Sequence, residues 1–135
     1  MLDIESLRNE TSNEMLKYFK RYDLANYMEP TESQLKDTPA CYLYPMTEDP
    51  RGETFSGSQD QATDETISLV IVAKVEDLYT ARRHAKAVFR GHKPNPQEVE
   101  IPFHEMLFAG GEIRSIKSNT CIWMDMYRTY TLGGC

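Results

Sequence analysis

The stretch Thr66-Ile-Ser-Leu-Val-Ile-Val-Ala-Lys-Val75 constrains the fold more than any other part of the chain. Its residues are β-branched and almost continuously apolar, the pattern of a central strand covered on both faces. Such a strand needs a neighbour along each edge and a layer over each side. The uninterrupted apolar run inside it, Leu69 to Ala73, is far shorter than the roughly 20 residues that cross a bilayer, so it reads as core and not as a membrane span. The start, MLDIESLRNE, is acidic and has no basic segment leading into a long apolar stretch, so no secretory signal is expected.

The other elements are legible around this strand. Ile4, Leu7, Thr11, Met15, Tyr18, Phe19 and Tyr22 recur at helical spacing behind Asp3, a candidate N-cap, which predicts a helix over 4–22. Leu24 to Thr38, with Pro30 and many polar residues, reads as an irregular connection. Pro39-Ala-Cys-Tyr-Leu-Tyr-Pro45 predicts a strand over 39–46, its prolines suiting the ends better than the middle. Residues 47–63 are polar apart from Phe55 and predict a long exposed loop or the tip of an open hairpin.

The central strand is expected over 64–76. Asp77 then opens a helix over 78–90, with Leu78, Ala81, Ala85, Val88 and Phe89 on one face and Gly91 and Pro94 as the stop. Beyond the prolines at 94, 96 and 102, Gly110-Gly111 predicts a tight turn or bulge, and C-terminal strands over 105–131 meet near Ser118-Asn119. At 135 residues without an internal repeat, the chain is about the size of one domain with one core. The order of elements implies an α+β fold, a mainly antiparallel sheet with two helices packed on one face.

Motifs for catalysis are weak. Cys41 and Cys121 lie in strand-like runs with no histidine at a diagnostic spacing, and with Cys135 they read as reduced thiols of a cytosolic product. His84, His92 and His104 lack the HxxxH or HxH spacing of a metal site and read as surface residues. Gly110-Gly111 has neither the lysine nor the strand-to-helix setting of a phosphate loop. Trp123, Tyr127 and Tyr130 suit a core or subunit interface better than a platform for bases. No catalytic, cofactor or metal site is expected.

Charge carries the one strong pattern. The segment Glu48 to Glu65 holds six acids and one base, whereas Tyr79 to Gln97 holds five bases and no acid. This makes Glu48, Asp49, Arg51, Glu53, Phe55, Asp60, Asp64 and Glu65 on one side, and Arg82, Arg83, Lys86 and Arg90 on the other, the candidate interface with another subunit or a larger assembly. The bases of the second helix fall away from its apolar stripe and are expected to project sideways to a partner. A formal net charge of -6 argues against a domain that holds nucleic acid by neutralising phosphates.

With this layout the chain resembles the tail terminator proteins of long-tailed bacteriophages, particularly those of contractile-tailed, Mu-like phages. The resemblance runs through the N-terminal helix, Pro39 to Pro45 with its polar loop, and the long apolar strand closed by Asp77. It continues through Val88-Phe89-Arg-Gly-His-Lys-Pro94 and Phe108-Ala-Gly-Gly-Glu, and ends in the strand with Trp123 and Tyr127 that closes on Thr129-Tyr130-Thr131. His92 stands where that family more often has an aromatic residue. The resemblance implies a structural subunit without enzymatic activity or cofactor, forming a homohexameric ring in the virion after assembly in the host cytoplasm. The implied partners are the tail tube protein, the sheath and the head connector, with genomic DNA passing through unbound and no membrane involved. Alternatives are another neck, connector or head-completion ring, or a small ligand-binding or enzymatic domain using the aromatic sheet face near Cys121 or His104.

Overall fold

The apolar stretch at the centre of the sequence becomes the middle strand of a five-stranded sheet. The computed structural model describes residues 2–25, 37–50, 63–96 and 102–131. Within them the chain runs α1 (Ile4–Met15), β1 (Arg21–Leu24), β2 (Ala40–Pro50), β3 (Thr63–Lys74), α2 (Leu78–Phe89), β4 (Leu107–Lys117) and β5 (Thr120–Tyr130). A 3-10 turn, Val75–Asp77, links β3 to α2. The strand order is β1-β2-β3-β5-β4, antiparallel throughout except for β1 beside β2.

Strand β3 is paired along its length, with β2 on one edge and β5 on the other. Its alternate side chains are buried on both faces. Ile67, Leu69, Ile71 and Ala73 meet Leu7 and Met15 of α1 and Ala81, Ala85 and Phe89 of α2 in one core. Val70 and Val72 point the other way, into a second cluster with Ala40, Tyr42 and Ile122. Both helices therefore pack on one face of the sheet, as the order of elements implied. Ile122 and Met124 are buried too, at 5% and 4% exposure, but their partners opposite are Val72 and Val70, on the face away from the helices.

The first helix is shorter than its spacing predicts. Asp3 caps it through its carboxylate, which accepts from the backbone N–H of Glu5 and Ser6, but α1 ends at Met15 instead of running to residue 22. Residues 21–24 form β1 instead, in parallel register with Ala40–Leu43. Phe19 and Tyr22 are still buried, so the helical spacing at 18–22 counted core residues correctly while misassigning their backbone. The tertiary gain is a ladder along the open edge of β2, which local periodicity does not register. Tyr22 also points its hydroxyl to within 2.6 Å of Thr11 on α1.

Three other boundaries move. The predicted loop 47–63 is strand at both ends, since β2 reaches Pro50 and β3 starts at Thr63, so its arms belong to a hairpin; residues 51–62 lie outside the described residues. Asp77 occupies the N-cap position of α2, but its side chain makes no capping bond. Gly110-Gly111 is not a turn but lies at a bulge, the other reading its sequence allowed: β4 continues through it, with register shifts at Phe108/Gly110 and Ile113/Ser115. The reversal lies at Ser118-Asn119, whose φ values of 46° and 67° are those of a tight hairpin turn.

Because Ile71 is fully buried on the helix-facing side of the middle strand, Ile71→Ala is expected to lower stability by about 2–5 kcal/mol. Chemical denaturation checks this, and an unchanged midpoint would make β3 peripheral.

Candidate functional site

Helix α2 lies over β3 and β5, and its two flanks differ in kind. The flank toward α1 is knitted to it: the His84 ring donates from Nε2 to the Glu14 carbonyl at 2.8 Å and packs against the rings of Tyr18 and Phe19. The flank toward β4 carries Arg82 and Lys86.

Arg82 is turned inward and does not project freely to a partner as its place on the helix suggested. Its guanidinium reaches Asp125 of β5 through Nη2 at 2.9 Å and Nε at 3.1 Å, and lies 4.2 Å from the centre of the Trp123 ring. The Asp125 side chain is wholly buried, and Trp123 Nε1 donates to it at 2.8 Å. A carboxylate removed from water must be met by charge or hydrogen bonds, and here it receives both. The space above it exists because residue 111 is glycine: a Cβ there would sit 2.1 Å from Asp125 Oδ1 and 2.9 Å from Trp123 Nε1. Reasoning from sequence missed Asp125, Trp123 and Gly111 as one unit. The available signal was an acid set in the apolar run Ile122-Trp-Met-Asp-Met, where a carboxylate calls for a partner.

The remaining bases are disposed differently. Lys86 holds its ammonium 4.0 Å above the Phe108 ring of β4. Arg83 and Arg90 are exposed. Tyr79, Arg82, Arg83 and Lys86 line an open groove of about 140 Å³, well below the roughly 300–1,000 Å³ of sites that enclose a small molecule. Tyr79 stands 74% exposed at its end. Along the neighbouring edge, β4 leaves Leu107, Ile113 and Ile116 exposed at 40%, 49% and 57%.

The acids lie toward the opposite edge. Glu48 and Asp49 occupy β2 directly across from Glu65 and Asp64 of β3, so these residues, separated in sequence, share one end of a ladder. Glu65 is buried and accepts from the backbone N–H of Leu2, a contact that ties the start of the chain to the sheet. Asp64 is half-buried. Arg51, Glu53, Phe55 and Asp60 lie outside the described residues.

The histidines are structural rather than simply superficial. Besides His84, His92 Nε2 donates to Glu10 Oε1 at 2.9 Å, which fastens the chain after α2 to α1, and His104 stacks on Tyr130 at 4.5 Å. Among the described residues no three His, Cys, Asp or Glu side chains are grouped to hold a metal ion, and no helix is long and apolar enough to cross a membrane. Cys41 and Cys121 are free and buried, and burial pushes both thiols up, away from the thiolate a nucleophile needs.

No protein-family model matches the chain, and no curated protein matches it in sequence. Among solved structures the fold is similar to that of a chain in the virion of a native gene transfer agent particle. That likeness has a TM-score of 0.52 and 14% identity, and covers 96% of each chain. At this identity it speaks for the fold alone.

Removing the buried carboxylate should expose the cost of the arrangement. Asp125→Ala leaves Arg82 without its partner, and since Arg82 is itself 27% exposed, the loss is expected at about 2–4 kcal/mol, below the full cost of breaking a wholly buried pair. Gly111→Ala should also destabilise, by about 1–3 kcal/mol, because the new methyl must displace the carboxylate. Denaturation midpoints equal to wild type in both variants would show that the cluster does not hold α2 to the sheet.

Proposed function

We propose that this chain is a structural subunit of a phage-like virion, and specifically the ring-forming tail terminator that caps the completed tail tube and joins it to the head connector. The observation that carries the reading is the full-length likeness of fold to a chain of a virion particle. The sequence resemblance to tail terminators of contractile-tailed phages narrows it to that position. A fold by itself hosts many activities, so the surface must supply the rest of the argument.

The surface suits assembly better than turnover. The groove on α2 is shallow, the two described thiols are buried, and the exposed features among the described residues are a basic flank and a row of apolar side chains on an edge strand. Work of this kind is surface complementarity, with no cofactor required. In the proposed homohexamer the net charge is about -36, six times the subunit's -6, a field that keeps DNA from adhering as it passes through the channel. Tube protein, sheath and connector are the partners in this reading, in a virion assembled in the host cytoplasm.

Position in the particle is the deciding measurement. Antibody against the chain, imaged on purified particles, is expected to label the junction of head and tail. Lysates lacking the protein should contain tails of unregulated length that fail to join filled heads. Tails of normal length beside heads that leak DNA would instead assign the chain to head completion, and unlabelled particles would remove it from the virion altogether.

A further inference from the structure

Strand β4 ends the sheet, and α2 packs on β3 and β5 beside it. The side chains that β4 turns toward the helix layer are therefore covered only where α2 reaches across. The register identifies them. Ile71 and Ala73 face the helices; Trp123 and Cys121 lie opposite these two, and Ile113 and Ile116 of β4 lie opposite Trp123 and Cys121, so all share one face. Phe108, opposite Tyr127, stands farther along the same face.

Helix α2 supplies a wall along this row. Tyr79, Arg82, Arg83 and Lys86 are spaced three and four apart, which sets them on one flank, and they line the open groove of about 140 Å³. Two contacts fix the course of the wall over the strands: Lys86 is seated over Phe108, and Arg82, one turn earlier, over Trp123. One further turn carries Tyr79 toward the Ile116 end. The groove is thus the basic side of a trough whose other side is the exposed apolar pair Ile113 and Ile116. Its floor is held in place, since Asp125 anchors Arg82 and Gly111 leaves room for that contact.

We propose that this trough binds an extended acidic segment of a different protein, with a carboxylate between Arg83 and Lys86 and the neighbouring apolar side chains over Ile113 and Ile116. Among the described residues neither Arg83 nor Lys86 has a carboxylate partner, whereas Arg82 is committed to Asp125. The groove has room for one carboxylate and not for a whole small molecule. An extended chain sends alternate side chains to opposite sides, so one set meets the bases of α2 and the other the isoleucines of β4. A phosphate backbone offers the isoleucines nothing, and the subunit's net charge of -6 opposes it. A second copy fits less well, because acids of its described surface are engaged within the subunit, Asp23 by Arg8, Asp37 by Arg21 and Glu112 by Arg114 among them. Anchored arginine, open tyrosine and exposed apolar side chains together are the composition of an interface centre. The contact deepens the virion reading above and rests on it only for where the partner is found, in a neighbouring protein of the particle.

Fluorescence anisotropy of labelled probes on the purified full chain tests the site. The probes are a synthetic peptide alternating glutamate with valine, the same peptide with glutamine for glutamate, the same with serine for valine, and a short DNA duplex. The glutamate–valine peptide is expected to bind saturably and the other three more weakly. Arg83→Ala with Lys86→Ala should weaken its binding about tenfold, and Ile116→Ser should weaken it severalfold. Lys17→Ala with Lys20→Ala removes the same charge from the α1 side and should leave binding unchanged. Thermal melting verifies the fold of each variant, and Arg83→Gln alone, at an exposed residue with no ion pair among the described residues, should shift binding in the same direction without touching the seat of Lys86 on Phe108. Absence of saturable binding, equal weakening by the α1-side variant, or equal binding of the serine peptide overturns the site. Tighter binding of the duplex, lost in Arg83→Ala with Lys86→Ala, would assign the trough to nucleic acid and overturn it too. So would self-association of the chain in sedimentation velocity that the same variant abolishes, which would assign the trough to a second copy. If the chain still labels the head–tail junction in those cases, the proposed function stands and only this contact falls.

Discussion

Complete enclosure of β3 is the condition on which the other elements depend. Its side chains are apolar on both faces, so both faces need cover, and its backbone has to be paired along both edges. The helices supply one cover, since α1 and α2 lay Leu7, Met15, Ala81, Ala85 and Phe89 against Ile67, Leu69, Ile71 and Ala73. The small residues at 81 and 85 let α2 approach the sheet closely. That approach brings Arg82 within reach of a carboxylate on β5, which larger side chains at the contact would prevent.

The Arg82–Asp125 pair then locks the helix in place along the strand. A buried ion pair is a poor source of net stability, because desolvation offsets most of its attraction, but it tolerates few alternative geometries. Here the pair is bracketed by the Trp123 ring, the indole N–H and the bare backbone of Gly111, which joins α2 to both β4 and β5. The consequence reaches the surface. With α2 so placed, its remaining bases line the edge of the sheet beside β4, and the acids of β2 fall toward the other. The two sides of the sheet thus differ in the sign of their charges.

What the sequence determined by itself was the part of periodicity and composition that no distant partner overrides. The β-branched run from 66 to 75 specified a buried middle strand, the stripe Ala81, Ala85, Phe89 specified the inner face of α2, and Ser118-Asn119 marked the hairpin, because each is a local pattern with one low-energy reading. The two blocks of opposite charge were equally visible. Only the tertiary structure decided which of those charges are available. It turned Arg82 inward to a carboxylate 43 residues away, buried Glu65 against the backbone of Leu2, and cut α1 short so that residues 21–24 could pair with β2. Each of these outcomes is a long-range hydrogen-bonding or desolvation balance, and such balances leave no trace in local spacing, since the partner that settles them lies in another part of the chain.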